Sequence, residues 1–197
     1  TFSDTLADAL RARLKRLLGN EPRLGERIDV DALEAVGVRL YRAHVGAPGV
    51  APPEVVRSLL QEAAAATPGH RFGASFLWAE WATVVDAWQL GSWEEYRNVA
   101  RLGRKTRLPE AQREVLWRLF ERVRAGLQER KLVTAAELYT DLARALARAG
   151  KVIYDFVVVD EAQDVSVAQL RFLAALGGER PNALFFAGDL GQRIFQQ

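Results

Sequence analysis

The C-terminal part of the chain sets a strand pattern, a capped helix and a second strand pattern in direct succession, and few folds accommodate that order. Tyr154 to Asp160 carries the run Val157-Val158-Val159 with no polar alternation, which reads as a short strand covered on both faces. Ser166 and Gln169 form a capping box that opens a helix running to Leu176. Ala183 to Ala187 reads as another strand, ending in Gly188-Asp189. A strand–helix–strand unit closes right-handed in nearly all cases and makes its strands parallel. The fold class is therefore α/β, and the segments D-E-A-Q-D (160–164) and G-D-L-G-Q-R-I-F (188–195) share one edge of one sheet. Ligands of open α/β sheets bind outside the carboxyl ends of the strands. A solvated acidic turn is the competing reading for Asp160-Glu161 alone.

The remainder is helical apart from one short stretch. Ser3 caps a helix bearing Leu6, Leu10, Leu14, Leu17 and Leu18, which Gly19-Asn20 ends. Arg27-Ile28-Asp29-Val30 reads as a short strand, and a helix carrying Leu33, Val36, Leu40 and Tyr41 follows. Gly and Pro crowd residues 46–53, marking a boundary. Beyond it only helices are expected. One opens at Pro52-Pro53, a second carries Leu77, Trp81, Val84 and Trp88, and Ser92 with Glu95 boxes a third. A long fourth begins at Pro109 with the stripe Val115, Leu119, Val123 and Leu127. Thr134 with Glu137 boxes the last, which Gly150 stops. The tryptophans Trp78, Trp81, Trp88 and Trp117 fall in these stripes and are expected in the core.

The chain has 197 residues, 49% of them hydrophobic, enough for a core. No apolar run reaches the roughly 18 residues of a membrane span, and the acidic, amphipathic start is unlike a secretory signal. No membrane association and a cytoplasmic setting are expected. Cysteine is absent, and His44 and His70 stand far apart, which removes disulfides, thiolate metal sites and a zinc reading. A net charge of +2 gives no global signal for nucleic acid. The chain contains no Met and is expected to be an excised fragment.

The sheet edge has the residue types for nucleotide hydrolysis. Magnesium takes one or two carboxylates and keeps several waters, a task for Asp160. An adjacent carboxylate, Glu161, can orient or deprotonate the attacking water. An amide after the neighbouring strand, Gln192, can touch the terminal phosphate.

The pair V-V-V-D-E-A-Q-D (157–164) and A-G-D-L-G-Q-R-I-F (187–195) resembles the Walker B segment and the segment that follows it in superfamily 1 DNA helicases of the UvrD/Rep type. T-F-S-D-T-L-A-D-A-L (1–10) is similar to that family's DNA-contacting segment, and E-E-Y-R-N-V-A-R-L-G-R-K-T-R-L (94–108) to the inserted helical subdomain of some members. The resemblance implies a partial RecA-like P-loop NTPase lobe with a parallel sheet, built from residues 1–48 and 151–197 and interrupted by an all-helical insertion at 49–150. It implies ATP and Mg2+ as cofactors, with Asp160 on the metal, Glu161 as catalytic base and Gln192 on the γ-phosphate. Gln163 joins the nucleotide-binding set, and with Asp164 it would couple the nucleotide to DNA movement; pinning the turn is the alternative for both. The phosphate-cradling pattern G-x-x-x-x-G-K-[ST] is absent. The chain is thus expected to be cut after that loop and before the second lobe, monomeric, and without ATP hydrolysis of its own.

The expected partners are single-stranded DNA and duplex junctions. By resemblance Phe2 and Phe195 are stacking positions, and Thr1 and Ser3 bond the backbone; Phe195 as a core residue is the competing reading. Many relatives carry a tryptophan two residues beyond the Phe195 position, where this chain has Gln197. Arg97 to Arg107 holds five basic residues and no acid, and Arg101, Arg104, Lys105 and Arg107 read either as a phosphate-binding surface or as a solvated face. Two further readings stay open: a P-loop ATPase that unwinds nothing, and a non-enzymatic binding module derived from a helicase lobe.

Overall fold

The computed structural model describes residues 1, 3–19, 21–47, 49–100 and 108–189. The chain divides into two compact units, a helical one of Ala47–Asp141 with Ser166–Arg171, and a second of Thr1–Gly46, Leu142–Val165 and the described residues from Phe172 onward.

In the helical unit, α4 (Pro53–Ala65) begins where the paired prolines predict, with Pro52 extended and Pro53 in the first turn. Helix α5 (Ala74–Glu80) passes directly into a π-helical turn, Trp81–Val85, closed by Asp86 N donating to Trp81 O at 2.8 Å. That wider turn changes the phase of the apolar stripe. Leu77, Trp81 and Val84 remain buried, but Trp88 emerges in the following turn 46% exposed, against expectation. Trp117 is buried as expected, and Trp78 is half-buried beneath the Arg57 guanidinium, 4.4 Å from its ring centroid.

Helix α6 (Trp93–Asn98) is capped by Ser92 Oγ, which accepts from Glu95 N at 3.2 Å. The reciprocal half of the expected box is shifted by one residue, because the Glu95 carboxylate takes Gly91 N. Helix α7 (Glu110–Glu129) buries Leu116, Leu119, Phe120, Val123 and Leu127, whereas Val115 is only half-buried. These side chains meet Leu59 and Leu60 of α4, Trp81 and Tyr96 in one continuous core. An isolated parallel bridge, Val50 with Val133, adjoins the start of α8 (Ala135–Ala149). There Glu137 N donates to Thr134 Oγ1 at 3.1 Å, and Thr134 N to Glu137 Oε2 at 3.4 Å, the full box predicted.

Two acids are buried in this unit. Glu80 is fully buried and accepts from the Tyr96 hydroxyl at 3.0 Å. Asp86 accepts from Thr134 Oγ1 at 2.5 Å and Gln89 Nε2 at 2.8 Å. Burial pushes the Asp86 carboxyl up to about 6; the Glu137 charge adds to the rise, while the two hydrogen bonds and Arg124 oppose it.

In the second unit, α1 (Asp4–Leu17) is capped by Ser3, α2 (Pro22–Gly25) is a single turn, and α3 (Leu33–His44) buries Leu33, Leu40 and Tyr41. The strand expected at Arg27–Val30 does not form. Its residues make the connection from α2 to α3, and Val30 O is occupied by Arg11 Nε at 2.8 Å instead of a ladder partner. Asp31 holds Arg11 and Arg39 at 3.3 and 2.7 Å.

Helix α8 ends at Gly150, whose φ of +60° is the left-handed stop a glycine allows. Then come β1 (Val157–Val159), α9 (Val167–Gly177) and β2 (Leu184–Phe186). The two strands pair in parallel, Val157 with Leu184, Val158 with Phe185 and Val159 with Phe186. Ser166 and Gln169 cap α9 reciprocally, at 2.9 and 3.3 Å. The triple valine is covered on one face only: Val159 is 5% exposed, while Val158 and its partner Phe185 are 68% and 63% exposed. Alternate residues of a strand point to opposite faces, and the described residues form a two-stranded sheet with one covered side. Among the described residues no helix is long and apolar enough to cross a membrane.

Candidate functional site

Parallel pairing brings the carboxyl ends of β1 and β2 together, and the hydrogen bonds continue past the strands. Ala187 N donates to Val159 O and Ala162 N donates to Ala187 O, both at 2.8 Å. Between those two anchored peptides the chain must turn sharply. It does so at Glu161, whose φ of 57° and ψ of 40° lie in the left-handed region. A non-glycine residue held there costs on the order of 1–3 kcal/mol, and such positions concentrate at functional sites. A 3-10 turn, Ala162–Asp164, follows, closed by Asp164 N donating to Glu161 O at 3.1 Å. Asp160 and Glu161 are both half-buried at the strand end.

Gln163 spans this edge. Its Nε2 donates to Glu161 Oε2 at 2.5 Å, and its Oε1 accepts from Asp189 N at 3.1 Å. Gly188 makes room for it: a Cβ there would press on Gln163 Oε1 and sit 3.0 Å from Ala162 N, a backbone atom that cannot swing away. The Asp164 Oδ1 atom is buried and has no hydrogen-bond partner among the described residues.

The sequence-predicted residues Asp160, Glu161, Gln163 and Asp164 thus occupy one turn at this edge. Thr1 and Ser3 lie at the start of α1. Ser3 Oγ is engaged as the helix cap, accepting from Leu6 N at 3.2 Å. Thr1 O accepts from Leu33 N at 2.8 Å, and Thr1 Oγ1 is buried without a partner among the described residues. Phe2, Arg101, Arg104, Lys105, Arg107, Gln192 and Phe195 lie outside the described residues. Two participants escaped sequence reasoning as site residues, Gly188 and the backbone of Asp189. The signal was a glycine directly behind a strand, which often marks a close backbone approach. Arg180 was missed as well; it anchors the approach to β1 by donating to the carbonyls of Tyr154 and Asp155 at 2.6 and 2.9 Å.

The family model of the UvrD/REP helicase N-terminal domain matches residues 1–196. The chain belongs to that family. Comparison with curated proteins returned no match. The match of this UvrD/REP helicase domain runs through the helical unit as well as the sheet edge, so the resemblance carried by the segments at 1–10, 157–164 and 187–195 extends along the chain.

Proposed function

We propose that this chain forms the greater part of the first motor lobe of an ATP-dependent DNA helicase, one that couples ATP hydrolysis to movement along single-stranded DNA and separation of the duplex. In this reading residues 1–48 and 151–197 build a RecA-like lobe, and 49–150 form an inserted helical subdomain facing duplex junctions. Membership of the UvrD/REP helicase family supports it. The single observation that carries the chemistry is the turn at the end of β1, where two adjacent carboxylates stand half-buried on anchored backbone.

The residues present suit magnesium held beside a nucleotide. Among the described residues no three metal-ligating side chains group together, and the end of β1 offers Asp160 with only Glu161 beside it. That donor set fits an ion whose other oxygens come from phosphates and water better than an ion caged by protein. When bound, the metal neutralises charge on the phosphoryl oxygens. Asp160 would hold it, Glu161 would accept the proton of the attacking water at its carboxylate, and Gln192 would touch the γ-phosphate. Left-handed backbone at Glu161 directs its side chain differently from that of Asp160, so neighbouring acids can serve separate tasks. Within these 197 residues no phosphate-cradling loop is present, so the chain alone should not turn over ATP.

The test is a pair of variants in the full-length protein. Glu161→Gln keeps size and one acceptor oxygen while removing basicity, and turnover should fall by about 10²–10⁴-fold with nucleotide binding retained. Asp160→Asn should instead shift nucleotide binding to higher magnesium. Parental turnover in Glu161→Gln would remove the base from this reading. DNA-stimulated ATPase without strand separation in the parent would favour a motor that unwinds nothing.

A further inference from the structure

We infer that Gln163 is a positioning residue, one that holds the Glu161 carboxylate and the Gly188–Asp189 backbone in a single frame without itself touching nucleotide. The inference rests on the reading of Glu161 as the base.

Three observations converge on it. First, both ends of the Gln163 amide are already engaged within the chain, Nε2 on Glu161 Oε2 at 2.5 Å and Oε1 on Asp189 N at 3.1 Å. A side-chain amide donates at one atom and accepts at the other across this short span, whereas a carboxylate here could not donate to Glu161 and an apolar isostere could do neither. Second, the receiving surface is shaped for it. Gly188 leaves the space that Gln163 Oε1 enters, against Ala162 N and Gln163 N, and a methyl group at that position would meet all three. Third, Glu161 needs an external hold. Its backbone is in the left-handed region, where a side chain projects away from the strand direction and its rotamer is not set by neighbours in a ladder. The hydrogen bond from Gln163 supplies the orientation that the strand does not.

The consequence is a mechanical link. Gly188-Asp189 begins the segment that leads to Gln192 and Phe195, the positions proposed to contact phosphate and DNA. Gln163 therefore makes the orientation of the Glu161 carboxylate depend on the position of the Gly188–Asp189 backbone.

The test uses the full-length protein with Gln163→Leu, Gly188→Ala and the double variant. Three quantities are measured: saturating turnover, affinity for a magnesium complex of a non-hydrolysable ATP analogue, and amide hydrogen exchange at Asp189. Misaiming a catalytic group by about 1 Å costs up to roughly 100-fold, so Gln163→Leu should lower turnover by about 10–100-fold and leave analogue affinity within about threefold. Asp189 exchange should quicken by about three- to tenfold, the worth of one net hydrogen bond. Gly188→Ala breaks the same bridge from the other side and also presses on the Ala162 and Gln163 backbone, so the double variant should be little worse than Gly188→Ala alone. Gln163→Glu keeps the acceptor and should restore Asp189 protection without restoring turnover. A tenfold loss of analogue affinity with unchanged saturating turnover would overturn the inference, since Gln163 would then be a nucleotide contact. Unchanged Asp189 exchange in Gln163→Leu, or full additivity in the double variant, would overturn it too. Glu161→Gln separates the two levels: parental turnover there removes the base, whereas an absent bridge shows in Asp189 exchange whatever Glu161 does.

Discussion

The Thr134 hydroxyl donates to Asp86 Oδ1 at 2.5 Å, joining the cap of α8 to the residue that closes the π-helical turn, 48 positions apart in sequence. The bond satisfies a carboxylate in a site that otherwise penalises its charge, since burial raises the Asp86 pKa from 3.8 to about 6.

Stability should therefore depend on pH through this residue. Below about pH 4 Asp86 is neutral in both folded and unfolded chains; between about 4 and 6 only the folded chain keeps the proton; above 6 the folded chain carries a buried charge. The contribution is fully present below about pH 4 and is lost progressively as pH rises from about 4 to 6, by up to about 3 kcal/mol. Asp86→Asn keeps the acceptor for Thr134 and Gln89 while removing the charge. It should raise the melting temperature at pH 7.5 and do so far less at pH 4. An equal shift at both pH values would mean that Asp86 does not carry the penalty.

Glu161 offers a test of backbone geometry independent of activity. Glycine adopts its φ of 57° freely, so Glu161→Gly should change unfolding free energy by no more than about 1 kcal/mol, relief of strain offsetting the gain in unfolded-chain entropy. A β-branched residue is strained there, and Glu161→Val should cost about 2 kcal/mol more than glycine. Urea midpoints for the two variants decide it, and equal midpoints would exclude the left-handed turn.

Tyr96 and Glu80 are both fully buried, and their 3.0 Å hydrogen bond lies inside the aromatic core with Trp117 and Phe120. Tyr96→Phe preserves the ring packing and takes one donor from a buried carboxylate. The expected cost is about 1–3 kcal/mol, measured by urea unfolding of the chain. A neutral outcome would show that the Glu80 carboxylate does not depend on the Tyr96 hydroxyl.

The basic segment is tested through salt. If Arg101, Arg104, Lys105 and Arg107 neutralise phosphates, replacing them with Ala in the full-length protein should weaken binding to a duplex junction and flatten its dependence on salt, by roughly one unit of logarithmic slope for each phosphate no longer neutralised. Parental slope in the fourfold variant would return the segment to an ordinary solvated face.

Local chemistry makes much of the fold legible in the sequence itself. Ser3, Ser92, Thr134 and Ser166 stand at helix starts because a hydroxyl three residues ahead of an orphan amide needs no partner from elsewhere in the chain. Gly150 stops α8 for an equally local reason. The parallel pairing of β1 with β2 followed from chain connectivity alone. Family membership was carried by contiguous segments, which is why it too could be read from the residues.

What the tertiary structure decided has a different physical character. Arg27–Val30 has a strand-like pattern but no ladder partner among the described residues, and pairing is not a property of one segment. Trp88 turns outward because the π-helical turn before it alters a phase that helical periodicity assumes. The proton affinity of Asp86 depends on groups from α7 and the start of α8 enclosing it. At the site, D-E-A-Q-D states which side chains are present, but not that the Gln163 amide faces Glu161 on one side and Asp189 on the other, with Gly188 leaving the space. Caps, stops and connectivity are set within a few residues of chain, whereas enclosure, phase and bridging arise only when distant segments occupy the same volume.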